Sequence, residues 1–153
     1  TESRWKEPAR REDYRQGSFQ RRRGSGKTVG RMTEFVDLEI FVTQLKRVGF
    51  HIRDLGLLGS ALARPQTSLF GEDAYPTLEL KAAVMVELIL LNHPMVDGNK
   101  RSSWLALNLF VELNDFEIIA TQDEVFDYVL DVANKRVDAE ASAEWIRKHL
   151  RRL

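Results

Sequence analysis

The sequence contains no cysteine among its 153 residues and only four prolines. Without cysteine the protein can form neither disulfide bonds nor thiolate metal sites, and a reducing cytoplasm is the simplest expectation. A long apolar run is also missing. The most hydrophobic stretch, residues 78–91, is interrupted by Glu79, Lys81 and Glu87, and it is shorter than the roughly 20 residues of a membrane span. We therefore expect no membrane partner.

The sequence also lacks an overall charge, since 23 Lys and Arg residues balance 23 Asp and Glu residues. The charges are nevertheless distributed unevenly along the chain. Residues 1–31 carry ten basic and four acidic side chains, net +6, whereas residues 32–153 carry thirteen and nineteen, net −6. Large apolar residues are scarce in 1–31, and residues 24–30 have the glycine-rich composition of a linker. We predict a basic tail, residues 1–31, followed by one folded domain, residues 32–153, that begins at Met32.

Hydrophobic periodicity in residues 32–153 is mostly helical. Apolar residues three and four positions apart predict several helices, over 34–48, within 50–63, over 77–91, over 100–113, over 125–135 and over 139–153. Thr121 and Glu124 have the spacing of a capping box, and Asp138 is placed to cap the last helix.

Residues 63–77 contain two prolines and a glycine, which predicts a loop or a short β-hairpin, and no other strand is expected. The predicted fold class is therefore all-α, a compact helical bundle with a short β-hairpin flap.

One stretch between two predicted helices is poorly suited to a core, namely "LNHPMVDGNKRSSW", residues 91–104. The second helix begins near Gly98, and a helix N-terminus presents backbone N–H groups and the positive end of its dipole, an arrangement that binds phosphate. Lys100 and Arg101 lie in its first turn and can add charge-assisted hydrogen bonds to phosphate oxygens. The spacing indicates an anion site.

Two further residues add chemistry to this anion site. Asp97 precedes the helix and can bind Mg²⁺, which prefers one or two carboxylates together with phosphate oxygens. Imidazole titrates near neutral pH, so His93 can accept a proton from an attacking hydroxyl. Each residue taken singly also fits an ordinary interhelical turn, with Asp97 as a cap and the cations solvated. Together they favour a site for group transfer from a phosphate.

The sequence "HPMVDGNKR", residues 93–101, resembles the core motif of the Fic/Doc superfamily. Most members read His-Pro-Phe, two residues, Gly-Asn-Gly-Arg, and the Doc branch is similar but has Lys in place of the last Gly, as Lys100 does here. "ARPQTSLFGEDAYPTLELKAA" and "LALNLFVELNDFEI" resemble the segments before and after the motif in Doc-like proteins, so the likeness covers residues 33–150. Met95 departs from the usual Phe, and Ser102 and Ser103 depart from the frequent Thr-Ala.

The resemblance implies an all-helical fold with a flap, and ATP and Mg²⁺ as cofactors. Fic-type members transfer AMP from ATP to a hydroxyl of a target protein. Doc-type toxins instead transfer the γ-phosphate to a threonine of elongation factor Tu in the bacterial cytoplasm and halt translation. Lys100 favours the second activity, because the resemblance assigns to this Lys the blocking of the pocket for the distal phosphates. AMP transfer remains an alternative, as does a catalytically silent binding module.

The same resemblance assigns roles to individual residues. It implies His93 as catalytic base, Asp97 as magnesium ligand, Gly98 and Asn99 as anion hole, and Lys100 and Arg101 as phosphate contacts. The flap would hold the target protein by strand addition, with Arg64 and Gln66 as candidate substrate or phosphate contacts. We assign no functional role to His51 and His149.

Three interpretations of the basic tail stay open. It is a solvated extension, or it contacts RNA electrostatically without sequence specificity, or it is derived from an antitoxin, since the resemblance implies a small antitoxin as partner. Ser3 and Glu7 also have a spacing similar to that of the inhibitory helix of Fic proteins, in which the Glu pairs with the motif arginine, here Arg101.

Overall fold

The computed structural model describes residues 32–153. The predictions for the basic tail, including its boundary at Met32 and the spacing of Ser3 and Glu7, concern residues 1–31 and lie outside the described residues.

The described part of the chain is mainly helical, which confirms the predicted fold class. In chain order the helices and strands are α1 (Leu38–Arg47), α2 (Leu55–Ala63), β1 (Ser68–Leu69), β2 (Glu72–Asp73), α3 (Leu78–Asn92), α4 (Asn99–Leu113), β3 (Phe116–Ile118), α5 (Gln122–Ala133), α6 (Ala139–His149) and β4 (Leu150–Arg152), with a 3₁₀ turn at Arg64–Gln66.

Side-chain caps determine where most of these helices begin. The Asp37 carboxylate accepts the Ile40 N–H at 3.0 Å, so α1 begins at Leu38 and not at the predicted residue 34. Thr121 and Glu124 form the predicted capping box at the start of α5. Asp138 caps α6 as predicted, by accepting the N–H of Ala141.

The core surrounds α3, which is buried on most of its circumference. Helices α2, α4 and α6 pack around it, and Ala82, Met85 and Ile89 are almost completely inaccessible to solvent. Burying a Leu, Ile or Met side chain stabilises a fold by roughly 1.5–3 kcal/mol, so α3 and its neighbours form a rigid base for the loops at their ends. Over residues 32–153, the combination of length and hydrophobicity that a bilayer-spanning helix requires does not occur.

The predicted hairpin is present, and its turn is tight. Strands β1 and β2 are antiparallel, and Phe70 and Gly71 connect them with φ angles of 52° and 80°. Two consecutive positive φ angles are typical of the type I′ turn that suits two-residue hairpins. The Phe70 side chain projects fully into solvent at the tip.

A second two-stranded sheet was not predicted, and the expectation of no further strand was wrong. Strand β3 pairs antiparallel with β4, with Ile118 opposite Leu150. The last helix accordingly ends at His149 and not at residue 153, because Leu150 turns to an extended conformation and packs on the core. Three-residue strands are too short to show the alternation that identifies a strand in a sequence.

Candidate active site

Residues 93–98 form the loop between the two central helices, α3 and α4. His93 ends α3 in the left-handed conformation, with φ 49° and ψ 58°, and Gly98 precedes α4 in the same region, with φ 82°. Met95 is only 1% exposed, so it anchors the loop in the core. The predicted site residues on either side of Met95 are therefore carried by a loop with a buried middle.

The Asn99 side chain closes this loop. Its Oδ1 accepts the Met95 N–H at 2.9 Å, and its Nδ2 donates to the Met95 carbonyl at 3.2 Å. We expected Asn99 to contribute to an anion hole. Its amide side chain holds the loop, and its backbone N–H, the first of α4, has no acceptor within the helix.

The ring of Phe50, a residue outside the motif, packs directly against Gly98. A Cβ atom at residue 98 would lie 2.4 Å from Cε1 of Phe50, so any side chain there would clash. The same ring also lies under Arg101, whose guanidinium carbon is 4.9 Å from the ring centroid, a favourable cation–π arrangement. Phe50 thus supports both the glycine and the cation of the motif.

The first backbone N–H groups of α4 are not capped by a side chain of the described residues. The first N–H of the helix's backbone ladder belongs to Ser102, which donates to Gly98 O at 2.8 Å. The preceding N–H groups, those of residues 99–101, have no acceptor within the helix, and the helix dipole makes them attractive to an anion. Lys100 and Arg101 are exposed at the same end, so positive charge is concentrated there.

Asp97 is the residue that would hold a magnesium ion shared with a bound phosphate. Its carboxylate is exposed, and Oδ1 accepts the Gly98 N–H at 2.7 Å. Within residues 32–153 no group of three or more acidic, His or Cys side chains is placed to hold a metal. Mg²⁺ is commonly held by one or two carboxylates plus substrate phosphates, without a complete protein cage, and a single carboxylate beside an anion site suits that arrangement.

Of the two predicted flap contacts, Arg64 has a partner inside the flap. Arg64 Nε donates to the Tyr75 hydroxyl at 2.7 Å, and its guanidinium lies over the Tyr75 ring. Gln66 is exposed at the end of the 3₁₀ turn. In the described chain, no hydrogen bond or ring contact joins either side chain to residues 93–101.

Three residues that the sequence did not single out support the site. Phe50 contacts Gly98 and Arg101, Arg53 donates to the backbone of His93, and Lys81 binds the flap through Asp73. A buried lysine inside an apolar helix is a signal that the sequence did offer for Lys81. No local pattern distinguishes Phe50 or Arg53.

The side chains of the two histidines without assigned roles make no hydrogen bond to the motif within the described residues, although the His51 carbonyl accepts the Val96 N–H. His51 is exposed. His149 stacks on Trp145, which stacks in turn on Tyr128, with 4.0 Å between successive ring centroids. The Tyr128 and Trp145 rings line a cavity of about 290 Å³ between α5 and α6, and no residue of the motif lines it. The contacts of His149 stabilise the packing of α5 on α6.

Comparison with known proteins identifies the family of this chain. The model of the Fic/DOC family matches residues 17–111, a range that includes the whole of the 93–101 motif. A toxin Doc from Mycolicibacterium smegmatis is 38% identical over 118 residues, which make up 73% of this chain and 90% of that protein. The chain belongs to the Fic/Doc family, and within it the chain is similar to a toxin Doc.

Proposed function

We propose that this protein is a Doc-like toxin that transfers the γ-phosphate of ATP to a Ser or Thr hydroxyl of a bacterial translation factor, with elongation factor Tu as the first candidate. One observation carries the proposal. The loop that Asn99 closes joins an exposed His93 at the end of α3 to the uncapped, cationic N-terminus of α4. A base and a phosphate site are thereby held on one short, anchored segment.

The proposed transfer uses the residues as follows. The N–H groups at the start of α4, together with Lys100 and Arg101, bind and orient the phosphates of ATP. His93 accepts the proton of the target hydroxyl as its oxygen attacks the γ-phosphorus. The new O–P bond forms, the bond from the γ-phosphorus to the bridging oxygen breaks, and ADP leaves. Mg²⁺, when bound by Asp97, neutralises charge on the phosphates.

Lys100 supports kinase activity over AMP transfer. Most family members resemble this motif but have Gly at that position, and the Doc branch has Lys. The similarity to a toxin Doc over 90% of that protein's length points the same way. AMP transfer is the second candidate, because the remaining motif residues are common to both activities.

The test is to follow the label from ATP. The full chain is incubated with elongation factor Tu, and separately with a bacterial extract, using ATP labelled at either the γ- or the α-phosphate. We expect γ-label on the target and none from the α-phosphate. α-Label on the target would replace the kinase with an AMP transferase. His93→Asn and Asp97→Ala serve as inactive controls, and Lys100→Gly is expected to lose γ-transfer.

A catalytically silent binding module is distinguished by the same experiment. It would capture a target without transferring either label, and its binding would not change in Asp97→Ala. The combination of an exposed base, an exposed carboxylate and an open helix N-terminus argues against this alternative, because binding alone does not require it.

The proposed toxin would act in the bacterial cytoplasm and would be held inactive by a cognate antitoxin. Whether residues 1–31 mimic such a partner is tested by expressing residues 32–153 alone. Stronger growth arrest than that caused by the full chain supports an inhibitory tail. Equal arrest would contradict it.

A further inference from the structure

Arg53 bonds to the backbone at the residue proposed as the base. Its Nε and Nη2 both donate to the His93 carbonyl, at 2.9 and 2.6 Å, and Nη2 also donates to the Asn92 carbonyl at 3.1 Å. The carbonyls in the last turn of a helix have no intrahelical donors. The Arg53 guanidinium supplies hydrogen-bond donors to these carbonyls, and it adds positive charge at the negative end of the α3 dipole.

His93 needs such support because of its backbone conformation. It has a φ of 49°, where the Cβ of a residue other than glycine is crowded against the following carbonyl oxygen, so this left-handed conformation is strained. Helices commonly end with glycine at this position for that reason. The strained conformation determines the direction in which the His93 side chain leaves the helix.

The backbone on both sides of Arg53 is bonded to the same loop. Pro94 O accepts the N–H groups of Arg53 and Asp54, at 2.8 and 3.0 Å, and the Val96 N–H donates to His51 O at 2.9 Å. Asp54 is in turn the N-cap of α2. The Arg53 guanidinium is exposed. The main chain that carries it is nevertheless fixed, because it is hydrogen-bonded to the same loop that the guanidinium stabilises.

We propose that Arg53 is a positioning residue for phosphoryl transfer, which holds the His93 backbone in the left-handed conformation and so directs the imidazole toward the target hydroxyl. This inference rests on the proposed function. Arg53 contacts no reacting atom, and its effect passes entirely through the carbonyls of Asn92 and His93. Small displacements of a catalytic group reduce rates by up to about 10²-fold, which sets the size of the expected effect.

The decisive variant is Arg53→Lys. Lysine keeps a cation at the end of α3, which satisfies a purely stabilising role, but its ammonium cannot reproduce the planar fork. We expect kcat for γ-phosphate transfer to fall by about 10-fold or more, with the KM for ATP and the thermal midpoint almost unchanged. In Arg53→Ala we expect the same loss of kcat, with recovery when millimolar guanidinium is added and no recovery with ammonium. Full kcat in Arg53→Lys would overturn the proposal, as would equal rescue by both cations.

The matched control is Arg47→Lys. Arg47 is exposed like Arg53 but lies in the last turn of α1, and within the described residues its side chain makes no hydrogen bond or ion pair. We expect its kcat to equal that of the unmodified protein. An equal loss of kcat in both variants would overturn a specific role for Arg53.

A second readout separates this inference from the proposed function. In full chain labelled with ¹⁵N-histidine, the ring signals of His93 are assigned by their absence in His93→Asn. We expect Arg53→Lys to shift these signals and Arg47→Lys to leave them in place. If the unmodified protein transfers no phosphate, the proposed function fails, and the positioning of His93 is still decided by these spectra. Unchanged His93 signals in Arg53→Lys would overturn it.

Discussion

Gly98 lies directly against the ring of Phe50, so that a Cβ atom at residue 98 would stand 2.4 Å from the nearest ring carbon. The same ring supports the Arg101 guanidinium. One aromatic side chain from the turn after α1 thereby packs against both the glycine and the arginine of the motif.

Gly98→Ala should be more destabilising than other glycine substitutions at positive φ. We expect a loss of about 3 kcal/mol in the free energy of unfolding, because the left-handed conformation and the clash with Phe50 both oppose a methyl group. Gly49 has a similar φ of 88° but open space around its Cβ position. Gly49→Ala should therefore lose only about 1–2 kcal/mol. Urea unfolding of both variants gives the comparison, and equal losses would contradict the steric argument.

His93→Gly should stabilise the protein while removing its activity. Glycine adopts the φ of 49° without strain, so we expect the free energy of unfolding to rise by up to about 1 kcal/mol. Loss of the base should reduce γ-phosphate transfer by about 10²- to 10⁴-fold. His51→Gly, at an exposed position outside the motif, should leave transfer unchanged. A His93→Gly protein that transfers phosphate at the normal rate would eliminate His93 as the base.

Lys81→Met should loosen the flap and leave the nucleotide site intact. The Lys81 side chain is buried, and its ammonium binds Asp73 at 3.0 Å and the Tyr75 carbonyl. Methionine fills similar space without the charge, so we expect little change in the free energy of unfolding. The KM for the protein target should rise by about 5-fold or more, while the affinity for ATP stays the same. Lys46→Met, at an exposed lysine, is the control. A changed ATP affinity with a normal target KM would contradict this role.

Stability should decline in acid partly through Glu124. Hydrogen bonds from His149 and Thr121 lower the pKa of the Glu124 carboxyl below its ordinary value of 4.5. A carboxyl with a lowered pKa in the folded state stabilises the protein above the ordinary value, and this contribution is lost as the pH falls through the folded-state pKa. Glu124→Gln should therefore be less stable than the unmodified protein at neutral pH, and the difference should disappear below the folded-state pKa.

Urea unfolding across this pH range measures the effect. Asp127→Asn, on the next turn of the same helix and exposed, is the control and should show a smaller change. A difference between Glu124→Gln and the unmodified protein that persists unchanged in strong acid would show that the carboxylate charge is not its cause.

Much of the fold could be predicted because its signals are local. The capping box at Thr121, the cap at Asp138 and the turn at Gly71 each involve residues within three or four positions of one another. The pairing of β3 with β4 could not be predicted, because it joins Phe116 to Arg152 across an intervening helix pair and involves only three residues in each strand.

The same distinction applies to the candidate site. The order of His93, Asp97, Gly98, Lys100 and Arg101, the helices on both sides of them and the family resemblance were determined by the sequence alone, because these depend on neighbouring residues. Only the tertiary structure decided that Phe50 packs against Gly98, that Arg53 binds the backbone of His93, and that the Asn99 side chain closes the loop. Phe50 and Arg53 lie some forty residues or more from their partners. Contacts over such separations arise from packing of the helices around α3, which no periodicity or cap in the sequence encodes.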